Sequence, residues 1–137
     1  MPSLTRWFIR SAMLYLLAAL VIGILLAWPR TAGTALLATG WPSWIHLLVV
    51  GWLTQLIFGV AYWMFPRASA ERPRGHEGLG WATWATLNLG LLLRILAEPA
   101  TGIRQGASSA LLTGSALLQL AAGVFFVFNT WPRTRTR

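Results

Sequence analysis

Four long apolar runs divide the chain, and each is bounded by arginine, glycine or proline. The first is Ser11 to Trp28, behind Arg6 and Arg10 and ahead of Pro29-Arg30, and the second is Pro42 to Phe65, closed by Pro66-Arg67. The third, Gly80 to Glu98, stops at Pro99; the fourth, Ser108 to Trp131, stops at Pro132 and a tail with Arg133, Arg135 and Arg137. An apolar helix of about 20 residues crosses a bilayer core, and lipid offers no partner to unpaired backbone groups. The pattern therefore predicts an all-α fold, a bundle of four transmembrane helices spanning 7–28, 42–65, 80–98 and 108–131 in one domain over 1–137. Pro42 suits the first turn of the second helix. A basic start before an apolar run also resembles a secretion signal, but this run exceeds the roughly 7–15 residues of a signal's apolar core. An uncleaved first span is expected.

Composition strengthens this picture. Of 137 residues, 56% are hydrophobic and 10% charged, against about 25% charged in soluble domains, so the bilayer is the expected partner. The net charge of +8 comes from eleven arginines and no lysine, against Glu71, Glu77 and Glu98. In a soluble protein that excess would suggest nucleic acid; beside four spans it reports orientation, and no nucleic-acid partner is expected. Arg6, Arg10, Arg67, Arg72, Arg74, Arg133, Arg135 and Arg137 fall on one side, Arg30 and Arg104 on the other. Positive residues are retained in the cytoplasm, so both termini are expected there, in a bacterial inner membrane. Eight tryptophans (Trp7, Trp28, Trp41, Trp44, Trp63, Trp81, Trp84 and Trp131) lie near span ends as interfacial belts, with Trp52 the exception. The loop Arg67 to Leu79 reads as a solvated turn whose arginines touch anionic headgroups, with His76 a loop histidine.

Ionisable groups within spans are costly and are candidates for function. They are His46, Arg94 and Glu98, accompanied by Gln55, Asn88, Gln119 and Asn129. His46 lies about four residues, roughly 6 Å, below the start of its span, and Arg94 about as far below the end of the third, at the same side of the membrane. At 3.6 residues per turn, Val50, Leu53, Ile57, Val60 and Met64 share the His46 stripe. Gly51, Gln55, Gly59 and Tyr62 fall opposite, and small residues there permit close packing on a neighbour. A histidine heading an aliphatic wall suits axial ligation of haem iron; the other reading is a histidine hydrogen-bonded to another helix. Arg94 can pair with Glu98 one turn away, meet a haem propionate, or bridge both.

The stretch His46-Leu-Leu-Val-Val-Gly-Trp-Leu-Thr-Gln-Leu-Ile-Phe-Gly-Val-Ala-Tyr-Trp-Met-Phe-Pro-Arg67 resembles the second helix of catalytic subunits in the haem–copper oxidase and nitric-oxide reductase superfamily. There an early histidine ligates the low-spin haem, ahead of a glycine-spaced helix that ends in a Tyr-x-x-x-Pro-like turn. Asn88 to Arg94 and Glu98-Pro99 are similar to the third helix of small proteins grouped with that superfamily. The resemblance covers about half the chain and implies a small four-helix relative, one four-helix arc. Superfamily catalytic subunits have about twelve helices in three such arcs and more histidines; this chain has two. By analogy a homotrimer would place three His46 residues equivalently, and a dimer could share one haem between two.

The leading expectation is therefore a haem b protein, with His46 as iron ligand and Arg94 as propionate partner. It would be a homo-oligomer that transfers electrons to a redox partner, or handles or senses a diatomic gas. The alternative is a cofactor-free accessory or scaffold subunit of a membrane complex. A transporter is disfavoured, since only Gln55 and Asn88 continue the polar cluster inward. Without aspartate, cysteine or a carboxylate pair, and with no histidine at matching depth to serve as base for Ser108 or Ser115, the chain is not expected to be a complete oxidase or reductase by itself. Lack of cysteine also excludes disulfides, iron–sulfur clusters and c-type haem attachment.

Overall fold

In the computed structural model, residues 1–29, 35–70, 73–98 and 105–134 are described, the side chains of 35–39 and 105–107 excepted. The expectations on Arg30, Glu71, Arg72, Pro99, Arg104, Arg135 and Arg137 lie outside them. The secondary structure of the described residues is all helix, with no strand. Helix α1 is Ser3–Ala27; α2 (Ala35–His46), a π-helical segment (Leu47–Thr54) and α3 (Gln55–Met64) follow one another as a single rod; α4 is Glu77–Ala97 and α5 Gln105–Thr134. Four stretches are long and apolar enough to cross a membrane: Ser3–Ala27, Gly40–Met64, Glu77–Ala97 and Ser108–Thr134. The chain is an all-α integral membrane protein by this measure.

Two element ends differ from expectation for the same reason. Pro42 sits inside α2 rather than in a first turn, and Pro132 sits inside α5 rather than ending it. Proline removes one backbone donor and crowds the preceding turn. In lipid that loss is tolerated where other groups re-satisfy the carbonyl it frees one turn earlier; the Pro42 carbonyl itself meets the imidazole of His46.

The spans run up, down, up and down. Leu4 and Phe8 at the start of α1 meet Gly80 at the start of α4 and Gly59 near the end of α3, while Arg133 at the end of α5 bonds the carbonyls of Tyr62 and Phe65. One end of the bundle therefore holds both termini. At the other, Gly23 of α1 lies beside Trp44, and Ser43 bonds Glu98.

Close approach between the first two spans depends on small residues, as the wheel predicts. A Cβ on Gly51 would sit 2.8 Å from Cβ of Tyr15, and one on Gly59 2.7 Å from Cβ of Phe8. Gly51, Gln55, Gly59 and Tyr62 are all buried, and Leu53, Ile57 and Met64 of the expected His46 stripe are exposed, but Val50 and Val60 are only partly exposed and Val50 packs against the core, because the π segment turns it inward. Leu47 joins the buried side, giving steps of four residues from 47 to 59. In a regular α-helix each such step overshoots a full turn by about 40°; the wider i→i+5 turns of the π segment absorb that drift. The small apolar core comprises Leu4, Phe8, Tyr62, Leu87 and Ala122, and Phe58 stacks on Phe126 with ring centroids 3.9 Å apart. Leu14, Leu17, Leu96, Leu117 and Phe128 point outward, where lipid is their solvent.

Gly59→Leu should push α1 off the second span and cost about 1–3 kcal/mol, the usual penalty of overpacking. A lowered unfolding midpoint in mild detergent checks this; an unchanged midpoint would mean that the two spans do not touch there.

Candidate functional site

At the end of the bundle away from the termini, Glu98 follows directly on α4 with only 7% of its surface exposed. An isolated carboxylate there would be strongly penalised by loss of hydration. Among the described residues, Arg94, Ser43 and His46 answer it. Arg94, one turn back, donates from Nε to Oε1 at 3.0 Å, as the four-residue spacing predicts. Ser43 on α2 donates its hydroxyl to Oε2 at 2.6 Å. His46, one turn further along α2, places Nδ1 3.3 Å from Oε1 and 2.8 Å from the carbonyl of Pro42.

The candidates His46 and Arg94 thus lie at one depth and share one carboxylate oxygen. Their arrangement has a further consequence for the imidazole. A carbonyl can only accept, so Nδ1 carries the proton and donates to Pro42, with Glu98 as a second acceptor. In the neutral ring Nε2 is then left with its lone pair, and no described residue bonds it. This is the arrangement of histidines that bind metal through one nitrogen while the other is held by a carbonyl or carboxylate. About a quarter of the His46 side chain is exposed. Arg94 is exposed to the same extent, and of its three guanidinium nitrogens only Nε is engaged by a described residue.

Deeper in the membrane, a second polar group ties three spans together. Tyr15 donates its hydroxyl to Oδ1 of Asn88 at 2.9 Å, Gln55 donates Nε2 to the same oxygen at 3.3 Å, and Asn88 donates Nδ2 to the carbonyl of Trp84 at 2.7 Å. Gln55 is fully buried. Tyr15 is a residue that sequence reasoning missed: as one tyrosine in an apolar run it carries no spacing signal.

Arg133 is the other missed residue. Counted by its place in the sequence it belongs to the basic tail, yet it is 1% exposed. Its Nε donates to the Pro66 carbonyl at 3.0 Å and its Nη2 to those of Tyr62 and Phe65 at 3.0 and 2.7 Å. It lies over the rings of Tyr62 and Phe65. One guanidinium thus closes the last turn of α3, whose carbonyls have no partner within the helix. His76 is in the loop, as expected, and its backbone N–H donates to Asn129 at 2.9 Å.

Among the described residues no group of three or more histidine, cysteine or carboxylate side chains could hold a metal ion. The described cavities lie at the end holding the termini, away from His46. The fold and this site define a four-span membrane protein with one histidine-bearing polar cluster near a span end. Comparison of the chain with protein-family models, with curated proteins and with solved structures gives no match.

Glu98→Ala strands Arg94 and should cost on the order of 3 kcal/mol, whereas Ser43→Ala removes one hydrogen bond and should cost about 1 kcal/mol. Unfolding midpoints in mild detergent rank the two. Equal, small losses would show that Glu98 is not the centre of the cluster.

Proposed function

We propose that the protein binds haem b through His46, as a homo-oligomer in a bacterial inner membrane with both termini in the cytoplasm. The observation that carries this reading is the imidazole itself. Its Nδ1–H is committed to Pro42 and Glu98, Nε2 has no partner among the described residues, and about a quarter of the side chain is exposed.

The residues fit one face of a haem. His46 supplies an iron ligand, Ile45, Val49 and Leu53 on the neighbouring outward stripe of the same span are exposed and offer an apolar wall, and the free arm of Arg94 offers a partner for a propionate. The second wall has to come from outside the protomer, and a second copy of this chain is its natural source. Bound there, haem would supply one-electron transfer or a site for a diatomic gas; two histidines on the iron favour the first, one favours the second. The superfamily resemblance of the second span points the same way. The asymmetry of arginines, with the loop Arg67–Arg74 and Arg133 at the end that holds the termini, supports the orientation.

A cofactor-free scaffold is favoured by a different observation: Glu98 already links Ser43, His46 and Arg94 into a staple between two spans. A reduced-minus-oxidised visible spectrum of the detergent-purified protein separates the readings. Haem binding predicts sharp bands at a fixed haem-to-chain ratio, their loss in His46→Ala with helicity retained, and weaker haem retention in Arg94→Gln. A colourless protein that also refuses added haemin would leave His46 as part of the staple.

A further inference from the structure

The end of the bundle holding the termini contains a cavity of about 460 Å³ lined by Arg67, Arg74 and Arg133 together with Trp63, Phe65 and Pro66. It is chemically unlike the His46 end, and the haem reading does not use it. We propose that this cavity binds a phosphate group, the headgroup phosphate of an anionic lipid being its source.

The end of a helix normally repels anions, because its last carbonyls carry partial negative charge. Here Arg133 donates to the carbonyls of Tyr62, Phe65 and Pro66, so the end of α3 carries a buried guanidinium that offsets the partial charge of those carbonyls behind the cavity wall. That guanidinium is buried and held by three bonds, so its position is set before any ligand arrives. Arg74 is half-buried and Arg67 exposed, and both line the same space. Among the described residues no carboxylate lines it; Glu77 borders a neighbouring cavity. Planar guanidinium forks match phosphate oxygens and give short, charge-assisted hydrogen bonds.

Position selects the lipid as the source. The second span ends at Met64, so the cavity opens where the helix leaves the hydrocarbon. Trp63 on its lining is about half exposed, and an indole at this level sits among headgroups. A phosphodiester could enter from the bilayer edge while its acyl chains stay on the apolar face of the span.

The test uses the full chain in nanodiscs of mixed phosphatidylcholine and phosphatidylglycerol, with retained lipid read by native mass spectrometry. Wild type should keep phosphatidylglycerol selectively. Removing one arginine should weaken retention about fivefold, and Arg67→Gln with Arg74→Gln on the order of thirtyfold. Arg6→Gln with Arg10→Gln, two exposed charges at the same end that do not line the cavity, should leave retention unchanged. A parallel calorimetric titration uses inorganic phosphate. Saturable phosphate binding that the cavity variant loses, without preference between the lipids, would keep the site and make a free phosphate its ligand. Equal retention by wild type and the cavity variant, with no phosphate binding, would overturn the proposal, as would an equal effect of the Arg6 and Arg10 changes.

Discussion

A carboxylate placed among helices in lipid has to be answered on every side, and Glu98 sets that constraint for this molecule. Its charge calls for Arg94 on its own helix and donors from α2, which fixes how the second and third spans meet at the end away from the termini. Ser43 and His46 lie one helical turn apart and reach it together. Because His46 spends one nitrogen on this bond and on the Pro42 carbonyl, the other is left open. The same contact that holds two spans in register therefore also fixes the orientation of the imidazole. The two proposed roles are compatible in geometry: under the haem reading, the staple would orient the imidazole.

Proline and the π-helical segment belong to the same construction. Pro42 removes a backbone donor one turn before His46, and its own carbonyl receives the imidazole. Directly after His46 the rod changes to i→i+5 bonding from Leu47 to Thr54, a rare geometry that often accompanies functional sites. Its wider turns keep Leu47, Gly51, Gln55 and Gly59 on one packed side, so His46 can sit at the edge of the protomer while Gln55 two turns on is buried against Asn88. At the opposite end Arg133 does for α3 what Glu98 does for the junction of α2 and α4: a side chain from one span completes the unpaired polar groups of another.

Much of this was legible in the sequence. Apolar runs bounded by arginine and proline gave the four spans to within a few residues, and the small-residue stripe at Gly51 and Gly59 correctly marked the packed side. The Arg94–Glu98 pair follows from four-residue spacing, and the common depth of His46 and Arg94 from simple helical rise. What the sequence hid was long-range or non-periodic. Nothing in a run of ordinary helix formers announces a π segment, and a proline near a span end looks like a boundary whether or not neighbours rescue the helix. Ser43, Tyr15 and Arg133 act on partners 55, 73 and 71 residues away, a separation over which one sequence carries no pairing signal. The haem proposal rests on a resemblance and on an imidazole geometry, and both meet at His46.

The central claim is that His46 is held as the Nδ1–H tautomer with Nε2 open to a ligand. Nitrogen-15 NMR of imidazole-labelled protein in nanodiscs at slightly alkaline pH tests it directly, with His76→Gln assigning the two histidines. The account predicts a protonated Nδ1 and a bare Nε2 for His46, whose Nε2 resonance alone moves strongly when the diamagnetic zinc analogue of haem is added. A proton on Nε2, or a resonance indifferent to the porphyrin, would contradict it.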